Sequence, residues 1–269
     1  DRLDFSGNLN RLADVMANFP QEDKQRVEVV YHDLKAELNP MIQDLCGDVN
    51  IVLHLAAGSH VDRSIEFPME FVMDNVVGTV NLLNWARTLP NLDRFVYFST
   101  DEVFGPAPNG INYGERDRYN SSNPYSATKA AADQLITAWA RTHNVPYIIV
   151  RPTNNYGAGQ YAEKLIPKTV KYLQLGRRIP LHLGGSPHRT WLHVEDTADA
   201  ITTIIEAGVV NEIYNIPGNH ETSNLDVVKS VIDELNDQFG EEFVLKDCID
   251  GNYERPGADL RYSISGVKL

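Results

Sequence analysis

Residues Phe98–Gly105, FSTDEVFG, place a threonine, an aspartate and a glutamate in a row after the apolar run RFVYFS. Neighbouring carboxylates repel, and burial raises that cost. Thr100, Asp101 and Glu102 therefore belong either to a solvated acidic turn or to a site whose chemistry needs two carboxyls. Further along, Tyr125 and Lys129 stand four apart in YSATK, early in a helical pattern, and so share one helix face. A lysine there can lower a phenol below its usual pKa of about 10, and a bound nicotinamide cation would lower it further. The resulting phenolate is a general base for an alcohol. Tyr and Lys at this spacing occur by chance in many helices. Beside the acidic stretch, the chance reading loses most of its force.

These residues need elements to hold them. VEVVYHD (Val27–Asp33), VNIVLHLAA (Val49–Ala57), RFVYFST (Arg94–Thr100) and VPYIIVRP (Val145–Pro152) read as strands whose near-continuous apolar character fits a sheet covered on both faces. The stretches Met69–Leu89 and Asn123–His143 have helical spacing and length. Alternating strands and helices imply an α/β domain, a doubly wound parallel sheet of Rossmann-like form. After Arg151 glycine and proline become frequent, as in NNYGAGQ and GRRIPLHLGGSPHR, which marks a smaller, loop-rich substrate lobe. The expected division is residues 1–151 for dinucleotide binding and 152–269 mainly for substrate, with about 191–216 returning to the first domain. In such sheets ligands bind beyond the carboxyl ends of the strands, where Ser99–Glu102 lies.

Composition narrows the partners. With 24 basic and 37 acidic residues the formal charge is −13, which disfavours nucleic acid and anionic membranes as main partners. Cys46 and Cys248 are far apart and in no metal-ligand spacing, so a reduced, cytoplasmic setting and no metal are expected. No apolar run reaches the roughly 20 residues of a membrane span.

The chain resembles the extended short-chain dehydrogenase/reductases, and within them the nucleotide-sugar 4,6-dehydratases of the dTDP-glucose type. The resemblance rests on LDFSGNL, HLAAGSHVDRSI, STDEVFG, NPYSATKAAAD, RPTNNYGAGQYAEKLIP, RTWLHVEDTADAI, EIYNIPGNHETSN and ERPGADLRY, which follow in the family's order. It implies an NAD-dependent lyase acting on a nucleotide-diphosphate hexose. Tyr125 would take the C4 hydroxyl proton, Thr100 would hold the C4 oxygen, and Lys129 would orient the cofactor ribose and tune Tyr125. Glu102 would remove the C5 proton, and a protonated Asp101 would protonate the departing C6 hydroxyl. For the cofactor, Asp1 would meet the adenosine ribose, Asp33 and Leu34 the adenine, and Leu55, Ala56 and Ala57 the middle of the dinucleotide. His60, Asn154, Lys164, Leu165, Arg189, Asn224 and Arg255 would bind the substrate. A homodimer through a four-helix bundle, formed by the helices near Phe71–Leu89 and Asn123–Arg141, is implied as well.

The sequence also departs from that family, with Gly58 standing where the dTDP-glucose members carry glutamate. The sequence contains no glycine-rich phosphate turn, and the first β-α unit and the carboxyl-terminal end are expected to be absent, so that the chain as it stands would bind NAD weakly. A nucleotide-sugar 4-epimerase or decarboxylase on the same scaffold, or a truncated non-catalytic homologue, are the alternatives. The paired carboxyls of TDE argue against the first of these.

Overall fold

Apolar runs buried on both faces become the central strands. The computed structural model describes residues 2–4 and 6–269. In chain order, helices α1 (Leu9–Met16), α2 (Gln21–Lys24) and α3 (Pro40–Cys46) precede strand β1 (Ile51–His54). Helices α4 (Val61–Glu66) and α5 (Pro68–Phe71), a π-helical stretch (Val72–Val77) and α6 (Gly78–Ala86) lead to β2 (Arg94–Phe98). A 3-10 turn (Asp101–Phe104), the long helix α7 (Pro124–His143) and β3 (Tyr147–Pro152) follow. Then come β4 (Asn154–Tyr156), α8 (Leu165–Gln174), β5 (Ile179–Pro180), a second 3-10 turn (His182–Gly185), β6 (His188–His193) and α9 (Val194–Ala207). The chain closes with β7 (Glu212–Ile216), β8 (His220–Ser223), α10 (Asn224–Phe239), α11 (Leu245–Cys248) and β9 (Ile249–Asp250).

The main sheet runs β1-β2-β3-β7, and every pair in it is parallel. Phe95, Val96, Ile148, Ile149 and Val150 are fully buried in its two middle strands. One face packs on Leu83, Ala132 and Ile136 of α6 and α7, and the other on Ile201 and Ile204 of α9. The smaller lobe holds a sheet β4-β6-β8 and the short pair β5-β9. Its own apolar cluster joins Leu173 of α8 to Val228 and Ile232 of α10. In the main sheet His54 lies opposite Tyr97, so the segments leaving β1 and β2 emerge at one edge. That shared carboxyl edge is where the site is built.

Helix α7 starts where its sequence says it should. Asn123 accepts from the Ser126 amide, the Ser126 hydroxyl returns to the Asn123 end, and Pro124 fills the first turn, where a missing N–H costs nothing. The helix ends at Asn144, whose φ of 56° is left-handed. One expectation fails. Val27–Asp33 forms no strand, because its backbone finds no ladder among the described residues; Val30 tucks into the core while Val27 and Tyr31 are exposed. The helix expected over Met69–Leu89 is present, continuous from Pro68 to Ala86 through α5, the π-helical stretch and α6.

Candidate active site

Strand β2 delivers Thr100 in an extended conformation, and its hydroxyl caps the 3-10 turn by accepting from the Glu102 amide at 3.3 Å. The same hydroxyl donates to Asp101 Oδ1 at 3.2 Å. Gly105, with φ of 70°, ends the turn; a Cβ there would strike the Asn120 carbonyl. Asp101 is buried, and its Oδ2 has no hydrogen-bond partner among the described residues. Burial, then the neighbouring Glu102, push its carboxyl up to about 7, against opposing pulls from Arg189 and Thr100. Glu102 accepts from Asn123 Nδ2 at 3.3 Å, so the residue that caps α7 also aims this carboxylate. Two adjacent carboxyls are thereby held in different surroundings, Asp101 buried and Glu102 only partly so.

Tyr125 lies in the first turn of α7, its amide donating to the Ser64 hydroxyl at 3.1 Å. Its phenol is pushed up by burial first and Glu102 second, while the hydrogen bond with Thr100 draws it down. The expectation that Lys129 lowers this phenol is corrected. The Lys129 ammonium donates to the Phe98 carbonyl and sits 4.3 Å from the centre of the Tyr97 ring. Burial brings Lys129 down to about 8, with Asp133 acting the other way. Lys129 is thus a buried cation beneath the site.

Thr100, Asp101, Glu102 and Tyr125 face a cleft of about 400 Å³ between the two lobes. His60, Asn154, Lys164, Leu165, Arg189, Asn224 and Arg255 line the same cleft. Although the chain is strongly acidic, Lys164, Lys168, Arg189 and Arg255 gather here, which suits an anionic ligand. Three of them are already held. Lys164 Nζ donates to the Ser59 carbonyl at 2.7 Å, and Arg255 pairs with Asp62 at 2.5 Å. Arg189 spends donors on the His188 and Asp259 carbonyls and lies 4.3 Å from the Tyr262 ring centre. His60 both lines the cleft and caps α4, accepting from the Arg63 amide.

A second cleft, of about 540 Å³, gathers Asp33, Leu34, Leu55, Ala56 and Ala57. Val30, Leu38 and Leu82 give it apolar walls wide enough for a flat base. The Asp33 carboxylate, paired with Lys35 at 3.4 Å and Arg2 at 3.7 Å, can accept from a base amino group or a hydroxyl. Ala56 and Ala57 are exposed and small, leaving their backbone open to a ligand. This donor and acceptor set fits a dinucleotide such as NAD. Asp1, the other expected contact, lies outside the described residues.

Several contributors were not foreseen. Asn123, Ser64, Lys168 and Tyr253 all bear on the first cleft, and Asn123 carried a signal in the cap-and-proline pattern of NPYS. Asp196 is in the first turn of α9, and His193 is the cap.

A family profile described as "NAD dependent epimerase/dehydratase family" matches residues 1–217. The dTDP-glucose 4,6-dehydratase of Neisseria gonorrhoeae is 39% identical over 282 residues, spanning 100% of this chain and 80% of the relative. Among solved structures, the dTDP-glucose 4,6-dehydratase of Streptomyces venezuelae with NAD and dTDP bound superposes with a TM-score of 0.89 at 34% identity, covering 100% of this chain and 78% of that one. The UDP-glucuronic acid 4-epimerase of Bacillus cereus, at 21% identity and a TM-score of 0.82 over 98% of this chain and 77% of its own, shares the fold.

Proposed function

The chain belongs to the NAD dependent epimerase/dehydratase family, and on that premise we propose that it dehydrates a nucleotide-diphosphate hexose, of the dTDP-glucose or UDP-hexose kind, to the 4-keto-6-deoxy sugar. The observation that carries this reading is the pair Asp101 and Glu102, adjacent in sequence, unlike in surroundings, and both facing the cleft that holds Tyr125. What bound NAD supplies is a reversible store for the hydrogen moved from C4 to C6. Tyr125 takes the C4 hydroxyl proton, with Thr100 steadying the same oxygen. The 4-ketone acidifies the C5 hydrogen, because the carbanion left behind is an enolate. Glu102 removes that proton, and Asp101, still protonated near pH 7, delivers its proton to the C6 hydroxyl as it departs as water. Lys164, Arg189 and Arg255 hold the diphosphate, with Asn154, Leu165, Asn224 and His60 around the nucleotide and sugar. Asp33, Leu34, Leu55, Ala56 and Ala57 hold the cofactor from the second cleft, and Lys129 supports its ribose.

The test is incubation with NAD and a panel of dTDP- and UDP-hexoses, following the 4-keto product by its absorbance in alkali. A 4-epimer with no loss of water would move the assignment to an epimerase.

Because Asp101 must keep its proton, the elimination step should slow as pH rises through about 7. Single-turnover product formation across that range checks this. Asp101→Asn should be slower at every pH and lack the decline, since an amide has no such proton to lose. A rate climbing through pH 7 in the unmodified protein would contradict the role.

The proposal extends to a cytoplasmic homodimer. Phe67, Met69 and Met73 are exposed along α5 and its flanks, and these helices pack beside α7, as a four-helix seam would require. Analytical ultracentrifugation should show a dimer, and a monomer at all concentrations would remove the idea.

A further inference from the structure

The cleft that gathers Lys164, Arg189 and Arg255 also holds an anion of its own. Asp62, in the first turn of α4, lines it and places Oδ1 2.5 Å from Arg255 Nε. Among the described residues, no other lysine or arginine lining the cleft has a carboxylate so near. Lys164 is 4.0 Å from Glu163, and Arg189 directs its donors to backbone carbonyls. Asp62 comes from the lobe of the main sheet and Arg255 from the segment after β9, so the pair joins the two walls of the cleft.

This contact is built to be exchanged. The side chains of Arg255 and Asp62 keep 28% and 34% of their exposure, and a pair so open to water holds weakly. Neither Arg255 Nε nor Asp62 Oδ1 has a hydrogen-bond partner among the described residues, so the two charges touch without an aligned hydrogen bond. A phosphate, with more charge and more acceptor oxygens, can align with the guanidinium fork and do better. Only the side chain of Arg255 need turn, because its amide is pinned by donating to His182 Nδ1 at 2.8 Å. Nor would Asp62 be stranded once Arg255 left. The Tyr253 hydroxyl is a hydrogen-bonding neighbour of Asp62. The Nδ1 of His60 accepts from the Arg63 amide at 3.2 Å, so the neutral ring carries its proton on Nε2, 3.9 Å from Asp62 Oδ2.

From this geometry we propose that Asp62 is an internal stand-in for the ligand's diphosphate. It neutralises Arg255 in the empty cleft, yields it to a phosphate when the nucleotide binds, and recaptures it as the nucleotide leaves. The inference rests on the reading that this cleft holds a nucleotide diphosphate. Asp62 thereby sets how much charge a ligand must bring to take Arg255, and it speeds release at the expense of affinity.

The test is calorimetry with dTDP and with UDP on the unmodified chain and on Asp62→Asn. The amide keeps the shape and removes the competing charge, so the Kd should fall by about 5-fold, and nucleotide release should slow to match. The gain should shrink as salt is raised. Arg255→Met should weaken binding, and adding Asp62→Asn to it should bring no gain, because the two residues act as one unit. An unchanged or higher Kd in Asp62→Asn would overturn the proposal, and so would an equal gain without Arg255. Tyr253→Phe loosens Asp62 and should tighten binding by about 2-fold; it carries the test should Asp62→Asn fail to fold, and an unchanged Kd then rejects the exchange. Absence of binding in every variant would overturn the functional reading and the exchange together, whereas equal binding in the unmodified chain and Asp62→Asn overturns the exchange alone.

Discussion

Glu102→Gln should stop water elimination while leaving C4 oxidation partly in place. The amide keeps the shape of the carboxylate and can still bond Asn123, but it cannot accept the C5 proton. Loss of a positioned general base typically costs 10²–10⁴-fold, and a fall of about that size is expected in formation of the 4-keto-6-deoxy product. Oxidised sugar should then accumulate on the protein, visible as a lasting absorbance of the reduced cofactor once substrate is added. Normal turnover by Glu102→Gln would show that another group removes the proton.

The second large effect is on stability. Arg151 and Asp133 are both fully buried, with Nη2 3.0 Å from Oδ2. The guanidinium also donates to the Glu115 carbonyl at 3.0 Å and to the Tyr119 hydroxyl, and lies between the Phe104 and Tyr119 rings at 4.8 and 5.1 Å. This pair ties β3 to α7, the helix that carries Tyr125 and Lys129. Arg151→Met would leave Asp133 charged and without its partner in a dry interior. Breaking a buried pair from one side costs about 3–5 kcal/mol. For a chain of this size that corresponds to a fall of about 10 °C in Tm, read by calorimetry or circular dichroism. Arg151→Met combined with Asp133→Leu should recover much of the loss, because the stranded charge is then gone. An unchanged Tm in Arg151→Met would show that water reaches Asp133.

What could be read from the sequence was what local spacing controls. The central strands, the cap and span of α7, and the order of Thr100, Asp101 and Glu102 at a strand end all follow from neighbours a few residues apart. Residues grouped by their family motifs line two clefts, those expected to meet the cofactor in one and those expected to meet the substrate in the other. Where backbone pairing or long-range burial decides, the sequence misled. Val27–Asp33 has the composition of a strand, but a strand exists only with a ladder, and none reaches it among the described residues. Met69–Leu89 has helical spacing and does form a helix, but nothing local announces that Asn75 will turn inward to Gly58, 17 residues away. The Tyr125–Lys129 spacing was right, but the charge of Lys129 is directed to the Phe98 carbonyl and the Tyr97 ring by β2, which the helix pattern cannot reveal. Arg151 read as one residue of the strand Val145–Pro152; its bond to Asp133 depends on how β3 meets α7.

The central claim is that this cleft moves hydrogen from C4 to C6 of one sugar while water leaves across C5 and C6. A dTDP-hexose carrying deuterium at C4, turned over with NAD and followed by NMR, addresses it most directly. The label should appear at C6 of the 4-keto-6-deoxy product within the same molecule, with C5 taking up hydrogen from solvent. Label returned to C4 of an intact hexose, in either configuration, would contradict it.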